Sequence, residues 1–139
     1  MVAFDLPYPP SINHYWRRVG RRTLISREGR TFRRNVCALL ARGSGNGPRK
    51  PPAGGPIALA MDAFPPDRRR RDLDNIQKPV LDALEHAGVY EDDSQIDLLI
   101  TRRGEVVPEG RLTLEVLDLP LRCCPVCGGQ FGTFNAELN

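Results

Sequence analysis

The chain has 139 residues, 20 of them lysine or arginine and 17 aspartate or glutamate, so its net charge is only +3, and 40% of its residues are apolar. A chain of this length can bury about two-thirds of the surface its unfolded form exposes, which excludes wholesale disorder and suits one domain with a short appendage. Apolar runs such as residues 36–41 fall far short of the about 20 residues a membrane-spanning helix requires. Asp5 and an early cluster of prolines are unlike a secretory leader, and the expectation is a protein that stays in the cytoplasm.

In chain order, Val2, Phe4 and Leu6 alternate as a strand that Pro7-Tyr8-Pro9-Pro10 stops. A polar, aromatic and basic stretch follows over 11–18, and residues 22–26 read as a second strand. A helix capped by Ser26 and running to 42 puts Phe32, Val36, Leu39 and Leu40 on one face, with arginines on the other. Residues 43–56 hold five glycines and four prolines and read as an exposed loop. Ile57, Leu59, Met61 and Ala63 alternate as a strand ended by Pro65-Pro66. Ile76, Val80, Ala83, Leu84 and Ala87 recur at helical spacing up to Gly88, with Pro79 awkward enough to bend or delay the first turn. Two more strands are expected over 95–102 and 111–117. The resulting order gives an α+β fold, a mixed β-sheet carrying two main helices.

The small net charge averages two unlike halves. Residues 1–61 contain 11 basic and 2 acidic side chains, and residues 62–139 contain 9 basic and 15 acidic ones. All but Lys50 and Lys78 of the basic residues are arginine, the side chain suited to bidentate phosphate contacts. Within the acidic half, four consecutive arginines (68–71) run into Asp72-Leu73-Asp74. In extended backbone, residues two apart share a side, so Asp72 and Asp74 can present both carboxylates at the mouth of the following helix. Such a pair suits a hard divalent ion such as Mg²⁺, which takes carboxylate oxygens and keeps several waters. Lys78 lies one turn beyond Asp74, and a second acidic cluster, Glu91-Asp92-Asp93, follows the helix; only the tertiary fold can bring the two clusters together. A plainer reading makes Asp74 an N-cap, Asp74 and Lys78 a surface ion pair, and 92–94 an ordinary turn.

The run Arg69-Arg70-Arg71-Asp72-Leu73-Asp74-Asn75, then Lys78, Leu81-Asp82-Ala83-Leu84, and Gly88 followed by Asp92-Asp93-Ser94-Gln95-Ile96 resembles the RusA-like Holliday junction resolvases. So do Pro9-Pro10-Ser11-x-Asn13 with Tyr15 and Arg17, and Ser26-x-x-Gly29-x-x-Phe32-Arg33. The resemblance spans about residues 4–118. It implies a single RusA-like nuclease domain over 1–119, a homodimer, and a Mg²⁺-dependent endonuclease of bacteria, phages or prophages that resolves four-way DNA junctions by paired nicks in recombination and repair, leaving 5′-phosphate and 3′-hydroxyl ends. By matching position, Asp72, Asp74 and Asp93 are the implied metal-binding acids, Lys78 the functional lysine, Arg71 a basic residue of the site, and Asp92 a neighbouring acid of less defined role.

On that footing the DNA contacts are expected from Arg17, Arg18, Arg21, Arg22, Arg33 and Arg34 in the basic half, from Arg69, Arg70 and Arg71 beside the acids, and from Asn13, for which a turn role is the alternative. Tyr15 or Trp16 is either a stacking platform for an unpaired base or part of the core. Beyond residue 119 the resemblance ends. Cys123-Cys124-Pro125-Val126-Cys127-Gly128 in the tail 120–139 looks like one knuckle of a zinc ribbon; it supplies two or three of the four ligands a structural zinc needs. A non-cleaving junction-binding protein and a metal-dependent phosphohydrolase acting on nucleotides are the competing functions.

Overall fold

The computed structural model describes residues 2–42 and 54–130. Its elements in order are β1 (Val2–Leu6), α1 (Ile12–Tyr15), β2 (Trp16–Val19), β3 (Arg22–Ile25), α2 (Arg27–Arg42), β4 (Ile57–Phe64), α3 (Asp74–His86), β5 (Ile96–Arg103) and β6 (Arg111–Asp118). A 3₁₀ turn, Asp93–Gln95, precedes β5. Most of the loop expected over 43–56 lies outside the described residues. Among the described residues no helix is long and apolar enough to cross a membrane.

Four strands form one mixed sheet in the order β1-β6-β4-β5. The pairs β1–β6 and β6–β4 are antiparallel, and β4–β5 is parallel. A parallel neighbour needs a crossover, and α3 is that crossover. Along β4 the residues Ile57, Leu59, Met61 and Ala63 are buried, and along β6 Leu112, Leu114 and Val116, so both strands turn an apolar face to one side. Phe32, Val36 and Leu40 of α2 and Ile76, Val80 and Leu84 of α3 complete that core. Burying a side chain of this kind contributes about 1.5–3 kcal/mol. Leu39, expected on the same face of α2, is 41% exposed; Leu40, next to it in sequence, takes the inward position.

The strand expected over 22–26 is present as β3, but its partner strand and the helical turn before it carry no clear signal in the sequence. Residues 12–15 form a single helical turn, α1, and residues 16–19 pair with 22–25 as a two-stranded hairpin. Its base is tied down: Ser26 N–H donates to Tyr15 O at 2.8 Å, and the Ser26 hydroxyl donates to His14 O while accepting from Gly29 N–H. Ser26 therefore starts α2 as expected. Helix α3 begins at Asp74 despite Pro79, but its entry is tight, with Ile76 N–H reaching Leu73 O three residues back at 3.3 Å. Leu73 occupies the cap position with no side-chain bond, so Asp74 is the first helical residue and not the N-cap.

Candidate active site

Between β4 and α3 the chain passes the C-terminal end of the parallel pair, where open α/β sheets leave a crevice. Pro65 and Pro66 end β4, and Asp67 then organises the arginine run. Arg71 meets the Asp67 carboxylate with both terminal nitrogens, at 2.6 and 3.0 Å, and Arg69 adds hydrogen bonds at 2.9 and 3.1 Å. These bonds, Arg71 first, hold the Asp67 carboxyl well below the usual carboxylate range. The Arg71 guanidinium also lies 5.8 Å from the Tyr8 ring centroid, and Arg103 from the end of β5 donates to the Arg71 carbonyl. Asp67 belongs to no motif; its spacing of four from Arg71 is the one sequence signal for the pairing. Arg68 and Arg70 are exposed and form no ion pair among the described residues.

The acids fall into two groups. Asp72 and Asp74 are exposed, and among the described residues their carboxylates have neither hydrogen-bond nor ion-pair partners. Asp93 is folded back onto α3. The reversal uses Gly88, whose φ of +75° is a left-handed conformation that side chains disfavour. Val89 and Tyr90 are then buried, and the Tyr90 hydroxyl donates to Leu81 O of α3 at 2.7 Å. Burial pushes the Tyr90 phenol up, which keeps that proton in place. Asp92 caps the 3₁₀ turn, accepting from Ser94 N–H at 2.8 Å, and the Gln95 side chain reaches back to accept from Asp92 N–H at 3.3 Å and from Glu91 N–H at 2.9 Å; this is a capping box, and it commits Asp92 to a structural bond. The neighbouring Asp93 meets Lys78, Nζ to Oδ2 at 2.9 Å.

Lys78 has a second acidic partner, Asp82, which the spacing of charges did not single out, with Oδ1 at 3.0 Å. Its partners are therefore Asp93 and Asp82, and not Asp74. Both bonds, Asp93 first, raise its pKa above the ordinary lysine value, so it stays an ammonium at neutral pH. The Asp82 side chain is only 14% exposed, and its Oδ2 is buried with no hydrogen-bond partner. Among the described residues no three histidines, cysteines or acids are grouped closely enough to hold an ion. The chemistry of the donors nevertheless fits a hard divalent cation, because Asp72 and Asp74 offer carboxylate oxygens that no described protein group uses.

A cleft of about 560 Å³ opens beside these acids. Its lining joins Arg69, Arg70, Arg71, Asp72 and Asn75 to residues of the loop and helical turn from Tyr8 to His14, Asn13 included.

Residues 7–116 match the family described as Endodeoxyribonuclease RusA. The crossover junction endodeoxyribonuclease of Enterobacteria phage HK97 is 43% identical over 116 residues, which cover 84% of this chain and 93% of the relative. That of Escherichia coli K12 is 38% identical over 117 residues (84% and 94%), and that of Enterobacteria phage 82 is 40% identical over 114 residues (82% and 92%). The chain belongs to the RusA family, and with it to the nucleases.

In this RusA-family chain the basic N-terminal half is displayed on the hairpin. Arg17, Arg18, Arg21 and Arg22 are all exposed, as is Arg34 on α2. Arg33 is instead partly buried: its Nε donates to the Tyr15 hydroxyl at 3.3 Å and its guanidinium sits 6.0 Å from that ring. Tyr15 is fully buried at the hairpin base, with Trp16 packed edge-on at 5.0 Å. Tyr15 is thus core, with no face free for a base.

The family match stops before the cysteines. Cys124 N–H donates to Gly129 O at 2.7 Å, Gly128 N–H donates to Cys124 O at 2.8 Å, and Cys123 bridges to Gln130, so the segment forms a closed turn. Backbone N–H groups of Cys127 and Val126 hold the Cys124 thiol below its ordinary value. Arg102, which pairs with Asp62 at 2.7 and 2.8 Å, donates to Val126 O at 3.4 Å and docks the turn. The zinc suggested by the cysteine spacing finds no complete ligand set among the described residues.

Proposed function

We propose that this chain is a Mg²⁺-dependent endonuclease that resolves four-way DNA junctions by paired symmetric nicks, acting as a homodimer. The observation that carries the reading is the pair of carboxylates, Asp72 and Asp74, without partners among the described residues, the first of them lining a cleft together with Arg70, in a chain whose relatives are named for junction cleavage. Asp72 and Asp74 would hold the cation, joined by Asp93 once it turns away from Lys78. When bound, it supplies acidification of a water and stabilisation of charge on the phosphoryl and leaving oxygens. Arg70 has no acid to satisfy among the described residues and is placed to hold the scissile phosphate. Arg71 serves one step removed, because its clamp on Asp67 fixes the backbone that carries Arg70 and Asp72.

For Lys78, its contacts to two carboxylates support a role as a charge and not as a base. As an ammonium held by two carboxylates it has no lone pair with which to take a proton from water. Its contribution is positive charge beside the developing phosphorane. Asp82 holds it there from the buried side. Two-fold symmetry suits the substrate, since a dimer offers two sites to two strands of like polarity.

Incubation with Mg²⁺ and a synthetic junction, a matched linear duplex and a nucleotide panel tests this. Selective nicking of the junction supports it; hydrolysis of nucleotides, or binding without cutting, would replace it with a competing function. In the same assay Asp72→Asn is expected to lower nicking by about a thousandfold or more while leaving junction binding intact or tighter, because one anion beside bound phosphate is removed.

A further inference from the structure

The cleft beside Asp72 is larger and chemically more varied than contact with one phosphate requires. Its lining combines Arg70 and Asp72 with Pro9, Asn13 and His14. An amide offers a donor and an acceptor side by side, the arrangement that recognises the edge of a base. His14 is oriented for the same task, with its Nδ1 engaged by the Ser11 hydroxyl at 3.0 Å and its other ring nitrogen left over. The proline and tyrosine surfaces nearby are flat and apolar. Among the described lining residues Asp72 is the one acid, so the occupant is expected to carry an anionic group for the arginines and an uncharged part for the amide, imidazole and proline surfaces.

The cleft is also built in advance. Tyr8 is held between the Arg71 guanidinium and Gly110, where a Cβ would stand 2.7 Å from the Tyr8 Cβ. A phosphate for the arginines and a flat hydrogen-bonding body for Asn13, His14 and the proline surface describe a nucleotide whose base has left the stack. Bases beside a crossover are the ones that leave it at least cost. We propose that this cleft captures the base of the nucleotide adjoining the scissile phosphate, with Asn13 and His14 holding its edge. The proposal rests on the endonuclease reading of the same site and adds an unstacked nucleotide as part of the bound substrate.

The test uses the full-length protein in EDTA, where binding is read without cutting. Junctions carry a single 2-aminopurine at successive positions around the crossover. A fluorescence rise of roughly threefold or more is expected at one position next to the cut, with little change farther along the arms. Asn13→Leu, which fills the cleft, and His14→Ala are both expected to remove most of that rise; both positions are exposed, so the fold should persist. A flat profile at every position, or a rise that both variants leave intact, would overturn the cleft proposal. Because nothing is cut in this measurement, a rise that depends on Asn13 in a protein that nicks no junction in Mg²⁺ would instead sink the endonuclease reading alone.

Discussion

Two arginine-rich regions of this molecule use the same side chain in opposite ways. In the segment before α3, Arg69 and Arg71 are locked onto Asp67, Arg71 also faces Tyr8, and its carbonyl is held by Arg103. On the hairpin, Arg17, Arg18, Arg21 and Arg22 are exposed on strands that show little burial on either face, and Val19 and Leu24 are exposed beside them at 49% and 40%. A two-stranded hairpin is marginal by itself, and this one owes its place to Tyr15 and Ser26 at its base. The contrast separates precision from attraction. Under the proposed function, locked arginines would fix where a reacting phosphate and its acids meet, and exposed ones would add charge that any phosphate backbone can use.

The largest effect that would sharpen this contrast is expected at the clamp. Asp67→Ala should slow nicking of already bound junction by about a hundredfold, since a displacement of order 1 Å in positioning groups costs about that much. Junction affinity should change far less. If affinity and rate fell together, the clamp would be an ordinary DNA-binding group. On the hairpin the pattern should invert. Replacing Arg17 and Arg18 by alanine should reduce the slope of log affinity against log salt by roughly 0.9 for each phosphate that is no longer neutralised, with the single-turnover rate at saturating protein unchanged. An unchanged slope would remove the hairpin from the interface.

A smaller effect should appear in the acid stability of the clamp. Asp67 is held below its unfolded value of about 4, so its ion pairs contribute fully above that pH and are lost as the pH falls toward the folded value. Melting temperature followed from about pH 5 downward should therefore drop more steeply in wild type than in Asp67→Asn. Parallel curves would mean the clamp adds nothing to folding.

The smallest effect is expected at the cysteine turn. Arg102, which docks it, alternates along β5 with Thr101, and Thr101 accepts from Gln77 of α3, so the turn lies on the sheet face opposite α3. Cys124→Ser and Cys127→Ser should each leave junction nicking within about twofold of wild type. A larger loss would tie the turn to the reaction.

Much of the fold is legible in the sequence because burial imposes a period. Alternation in 57–63 and 112–116 marks strands that present one face to helices, and the spacing of Ile76, Val80, Ala83 and Leu84 marks α3 through Pro79. The hairpin's first strand, 16–19, lacks that signal, because a strand exposed along most of its length obeys no alternation, whereas its partner over 22–25 is the strand expected from the sequence. Leu39 is misplaced by periodicity for a related reason: adjacent leucines compete for one stripe, and packing chose Leu40.

Sequence by itself determined the inventory of the site: paired acids after an arginine run, a lysine one turn on, and an aspartate pair beyond a glycine stop. These are covalently near one another, and their chemistry does not depend on what packs against them. Tertiary structure decided their employment. Parallel pairing of β4 and β5, the burial of Val89 and Tyr90, and the Tyr90 bond to Leu81 carry Asp93 back to Lys78, where it shares the ammonium with Asp82. The same packing turned Arg71 into a strut and left Arg70 free. Which charges meet is set by the geometry of a core formed far along the chain from them, and no local spacing contains that distance.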